Sequence, residues 1–112
     1  MFTTMAMILS LAGTSWAMPD QPKQFIEFKP LQVSGNAGCN HFNGRYDQTG
    51  PTVEMGRLAT TRMACKQGIM IEEAKFLHSL ENSKSFEIAG QTLLLKNANG
   101  DIVLKLNRKD VG

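Results

Sequence analysis

Apolar and polar positions alternate along most of this chain, in short runs broken by glycine, proline and asparagine. A period of two is what a strand with one face in a core requires. Thr14 to Met18 predicts a short strand ended by Pro19. Phe25-Ile-Glu-Phe28 predicts another, halted by Pro30, which has no N–H for a ladder. Leu31 to Ser34 resumes extended structure and enters a Gly- and Asn-rich stretch, where Gly35, Gly38 and Gly44 predict turns or bulges. Thr52 to Leu58 sets Val53 and Met55 against Glu54 and reads as a half-buried strand. The period then changes once. Met70, Ala74, Leu77 and Leu80 recur at three- and four-residue steps, which predicts one helix over about 69 to 83 with that face inward. Glu72 and Glu73 fall in its first turns, suit the positive end of the helix dipole and read as solvated. Three strands follow, over 85–88, 91–96 and 101–106, and Asn99-Gly100 between apolar runs predicts a type I′ hairpin turn. Strands, one helix, then strands predict an α+β fold: a single compact domain, mainly antiparallel β-sheet with one main helix.

Composition narrows the class. At 112 residues, 42% hydrophobic and 20% charged, the chain has the make-up of one globular domain rather than a disordered segment. The formal net charge is +2, and the Lys and Arg residues are scattered from Lys23 to Lys109 without a basic stripe, which speaks against nucleic acid as a partner. Met5 to Ala12 is apolar but too short for a bilayer, which needs about 20 residues, so no stable membrane span is expected. It matches the apolar part of a secretory signal, although Met1 to Thr4 carries no basic residue. The expected organisation is a signal-like or truncated leader over 1–13, running directly into a domain over 14–107, with a tail over 108–112.

Candidate chemistry concentrates in Gly38-Cys39-Asn40-His41-Phe42-Asn43-Gly44. A Cys39/His41 nucleophilic pair lacks an evident orienting group and oxyanion hole. Cys39, Cys65, His41 and His78 lack the spacing of a zinc site. No phosphate loop and no paired carboxylates stand out, so no catalytic residue, metal or cofactor is expected. Two cysteines in a short chain with a signal-like leader favour a Cys39–Cys65 disulfide over two reduced core thiols. On that reading Gly38 and Gly44 are turn residues, Asn40 and Asn43 satisfy backbone groups freed by the turn, Phe42 and Tyr46 pack inward, and His41 points outward.

The stretch Gly38-Cys-Asn-His-Phe-Asn-Gly-Arg-Tyr46, followed by Thr60-Thr-Arg-Met-Ala-Cys65, resembles the two linked motifs of the META domain, the module of the HslJ heat-shock proteins. Leu11 to Trp16 resembles that family's opening strand, and the likeness spans residues 11 to 107. The short segment from Trp16 to Phe25 departs from the family and implies a trimmed first hairpin. The resemblance implies a compact α+β fold, a periplasmic or cell-envelope location, and association with heat shock and tolerance of novobiocin. Related domains in trypanosomatid parasites are linked to virulence and secretion. The expected function is therefore a non-enzymatic, monomeric envelope protein that binds a small ligand or an envelope protein. Asn40, Thr61 and Arg62 would form its motif surface, with Arg62 either a ligand contact or an internal salt-bridge partner. The alternatives are a structural, assembly or secretion-associated partner protein, and a Cys39/His41 thiol enzyme.

Overall fold

The computed structural model describes residues 10–109. Short alternating runs become β1 (Thr14–Ala17), β2 (Phe25–Lys29), β3 (Gln32–Asn36), β4 (His41–Thr49), β5 (Thr52–Met55), β6 (Ala59–Thr60), β7 (Ser85–Ala89), β8 (Thr92–Lys96) and β9 (Ile102–Arg108), with the helix α1 (Gln67–Glu81) between β6 and β7. Every strand pairing is antiparallel. The order runs β3-β2-β1-β9-β8-β7-β5-β4, and β4 pairs back onto β3, so eight strands close into a barrel with β6 attached beside β4. Closure removes most of the free strand edges that an open sheet would expose.

An eight-stranded barrel is just wide enough for side chains to fill it. Here Trp16, Ile26, Phe28, Val33, Phe42, Leu93, Leu95 and Leu106 are each at most 2% exposed. Two seams are thin. β5 meets β7 at one residue pair, Thr52 with Ser85, and β1 meets β9 at two. Helix α1 packs against β5 and β9, one strand from each seam. Its Phe76 meets Phe42 edge-on at 6.1 Å, and Leu80 is fully buried. The other end of β9 is tied down by the Arg108 guanidinium 4.6 Å over the Trp16 ring and by the Lys109 N–H donating to Ser15 O.

Several expectations need correction. The one main helix stands where it was expected, over Gln67–Glu81, but its buried face is Glu73, Phe76 and Leu80, with Leu77 half-buried and Ala74 exposed. The barrel rim, not the helix's own apolar count, selects that face. Gly44 is not in a turn. It lies inside β4, where a Cβ would stand 2.8 Å from Leu58 Cδ2 and 3.2 Å from Arg57 O, so glycine there admits the neighbouring chain. The half-buried strand over 52–58 stops at Met55, because Leu58 must turn into the core and its N–H is held by Glu81 Oε2 at 3.0 Å. Leu31 is in the tight connection between β2 and β3 at φ 64°, not in extended structure. Of Asn99 and Gly100 only Gly100 has positive φ, so the turn is not type I′; the Asn97 side chain accepts the N–H groups of Asn99 and Asp101 instead. At the amino end, the leader reading falls mostly on residues 1–9, outside the described residues, but Leu11 is fully buried in the core and Gly13 donates to Phe28 O. At the other end, Arg108 belongs to β9 rather than to a tail.

Candidate functional site

The corner between β3 and β4 is built from its side chains. Gly38 takes φ 127°, which a β-carbon disfavours, and its N–H donates to Asn36 Oδ1 at 2.8 Å. Ala37 donates to Asn40 O at 2.8 Å and closes the loop. This aims Cys39 at the exposed segment between β6 and α1, where it forms a disulfide with Cys65 across a Cα–Cα distance of 6.1 Å.

Asn40 is only 3% exposed and spends its whole amide inside the protein. Its Nδ2 donates to Met63 O at 3.1 Å and to Glu73 Oε2 at 2.8 Å, and its Oδ1 accepts from Thr61 Oγ1 at 2.8 Å and Met63 N at 2.6 Å. Glu73 completes the network. Its Oε1 accepts the N–H groups of Cys39 at 2.9 Å and Asn40 at 2.6 Å. Burial pushes the Glu73 carboxyl up, but the donated hydrogen bonds from the Asn40 amide and from the Asn40 and Cys39 backbone pull harder, and the group lies below its ordinary value. Thr61 is tied to this corner twice more, accepting from His41 N through its hydroxyl and donating its N–H to His41 O. His41 is exposed, as its place in the motif predicted, and Phe42 and Tyr46 are buried.

The three residues expected to form a surface therefore separate. Asn40 is a buried latch, which overturns its assignment as a surface contact, because a side chain with every hydrogen-bonding position filled by protein has none left for a ligand. Arg62 is exposed and makes no ion pair among the described residues, which removes the internal salt-bridge reading. Thr61 is exposed with its hydroxyl committed to Asn40. Sequence reasoning missed Glu73, whose carboxylate anchors the corner. Its only signal was the three-residue step to Phe76. It also missed Gln24, 3% exposed, whose Nε2 donates to Ala37 O and Glu72 O and so joins the corner to α1. Nothing local to Gln24 announces that role.

Beside the corner opens a cavity of about 550 Å³, bounded by Pro22, Lys23, Gln24, Gly38, Lys66 and Ile69 among others. Gly38 and Lys66 are the chain neighbours of the two bonded cysteines, so the disulfide joins two walls of this cavity. Ile69 on its wall and Met63 in the nearby segment are 42% and 53% exposed. Among the described residues, no three His, Cys, Asp or Glu side chains converge as metal ligands. No helix among them is long and apolar enough to cross a membrane.

Solved structures share this architecture. An NMR structure of a protein from Burkholderia xenovorans is 28% identical, with a TM-score of 0.68 over 88% of this chain and 83% of that one. Another NMR structure, 19% identical, shows the same fold with a TM-score of 0.63 over 88% of this chain and 90% of its own. No curated protein sequence matches the chain. The family model of the META domain matches residues 8–110, a span that holds both linked motifs, the disulfide, α1 and the closing strands, and the chain belongs to the META domain family.

Proposed function

We propose that the protein is a non-enzymatic binding module of the cell envelope that contributes to stress tolerance, including tolerance of novobiocin. The observation that carries this reading is the use made of the motif. Asn40, Thr61, Glu73 and both cysteines are consumed in holding one corner rigid, next to an open cavity and an exposed segment bearing Arg62 and Met63. A preformed hollow with exposed apolar side chains on its margin suits binding. The Cys39 sulfur is bonded to Cys65, so it offers no thiolate to His41. A disulfide also suits an oxidising compartment such as the periplasm.

Two measurements test this. A thermal-shift screen with novobiocin and soluble envelope components should find a ligand that raises the melting temperature, since binding stabilises the native state by RT ln(1 + [L]/Kd). In cells that depend on this protein for stress survival, Arg62→Ala should lose tolerance while keeping the wild-type melting temperature, and His41→Ala should keep both. Loss of tolerance in a folded His41→Ala protein would instead favour chemistry at Cys39 and His41.

A further inference from the structure

We propose that the hollow beside the β2–β3 turn and the far end of β4 binds a small uncharged molecule with an apolar body and a carbonyl oxygen, and that the Tyr46 hydroxyl recognises that oxygen. This is a second site, apart from the corner at the start of β4, and it goes beyond the reading of that corner.

The hollow measures about 440 Å³, within the range of small-ligand pockets. Three parts of the chain wall it: Ala12 ahead of β1, Pro30 and Leu31 between β2 and β3, and Tyr46, Gln48 and Gly50 along and just after β4. Gln48 fastens two of these walls together, its Oε1 accepting from Leu11 N at 2.8 Å and its Nε2 donating to Gly50 O at 3.0 Å. The Tyr46 N–H donates to Leu31 O at 3.3 Å and fastens the third.

Tyr46 is 5% exposed, and its ring meets Phe28 edge-on at 5.1 Å. Its single polar side-chain atom makes no hydrogen bond among the described residues, yet no fully enclosed side-chain polar atom among them lacks a partner. The hydroxyl therefore reaches open space. Tyr46 lines this hollow, and not those beside the disulfide, beside β9 or on the outer face of β3 and β4. Packing against Phe28 needs only a ring, which phenylalanine would supply without taking a hydroxyl away from water. Burial raises the phenol above its ordinary value of 10.0, so at neutral pH it keeps its proton and donates. A donor in the wall of a hollow calls for an acceptor on the ligand. None of the lining residues is charged, so nothing there would pair with a carboxylate or an ammonium, and the acceptor that fits is a neutral carbonyl.

Leu31 supplies the apolar margin. It is 55% exposed and holds φ 64°, where a side chain with a β-carbon is strained and glycine or asparagine fits. A turn that required only its backbone would be served by either. Leucine instead keeps an apolar side chain on the rim, against the body of the ligand.

The test is an amide-shift titration of the full chain by NMR with three probes built on one ring: methyl cyclohexanecarboxylate, cyclohexanecarboxylate and cyclohexylammonium. The ester should shift the Leu31, Tyr46 and Gly50 amides saturably, and each ion should bind about tenfold more weakly or worse. Tyr46→Phe should melt at the wild-type temperature, because the hydroxyl has no protein partner to lose, and should bind the ester about three- to tenfold more weakly. Leu31→Asn, which suits the left-handed backbone, should fold and should also weaken the ester. No saturable shift, an ion that binds as well as the ester, or a Tyr46→Phe protein with wild-type affinity would each overturn the proposal. So would a Tyr46→Phe protein that melts well below the wild type, since its hydroxyl would then be satisfied by the protein itself. If the ester fails while Arg62→Ala still loses stress tolerance, this site falls and the binding-module reading stands.

Discussion

Glu73 shows how one side chain changes meaning between the helix surface and the folded protein. On the helix alone it is a solvated acid. In the fold it is 5% exposed and holds two backbone N–H groups and the Asn40 amide. Its folded-state value lies below the ordinary 4.5, so its contribution is fully present above that value and is lost as pH falls through the lower, folded-state one. Glu73→Gln would turn a donor toward Asn40 Nδ2 or leave a backbone N–H unpaired, which should cost about 1–3 kcal/mol at neutral pH. Chemical denaturation at a series of pH values checks this. The wild type should lose stability in acid, and its gap to Glu73→Gln should narrow there. A gap of constant size from neutral pH into acid would show that the carboxylate charge contributes nothing. The cysteines and Asn40 were legible as a structural corner because their residue types suit one. Glu73 was not, because a partner more than thirty positions away leaves no mark on its neighbours in the chain.

Among the elements, the disulfide does the work that a longer ladder would otherwise do. β6 is two residues long and pairs only with β4, and residues 61 to 66 after it are exposed. Cys65, the Asn40 latch and the two hydrogen bonds between Thr61 and His41 hold this segment to the corner. The bond closes a sequence separation of 26, which constrains the unfolded chain by about 3.5 kcal/mol on the loop-entropy model. Cys39→Ser and Cys65→Ser should each lower unfolding free energy by about 2–5 kcal/mol, and the double variant should lose no more than either single one. Denaturant melts of all three under non-reducing conditions decide it; additive losses would mean that the two sulfurs act separately. The strands themselves were legible where short apolar runs are bounded by turn residues, as in β2, β8 and β9. The end of β5 lies where the period breaks: Arg57 is exposed where an inward residue is due after Val53 and Met55, and Leu58 reaches the core from outside the strand.

For the whole molecule, the consequence of closure is one shared core. Trp16 is fully buried on β1, its Nε1 donating to Thr14 Oγ1 at 2.8 Å, while α1 caps the interior through Phe76 and Leu80. Barrel and helix should therefore unfold together. Trp16 fluorescence should be blue-shifted in the native state, and its denaturant transition should coincide with loss of the far-UV helix signal. Helix loss at clearly lower denaturant would show that α1 is a separate unit. The alternation of apolar positions, the single change of period and the two spaced cysteines determined the class of fold, its antiparallel strands, its one helix and its staple, because each depends on residues close together in the chain or on residue type alone. Closure of the sheet through β3 and β4, the choice of Glu73, Phe76 and Leu80 as the inner face of α1, the burial of Asn40, and the hollow beside the disulfide were decided only by tertiary structure. Each of these depends on which distant surfaces meet, and a local pattern records that a side chain is to be buried without recording against what.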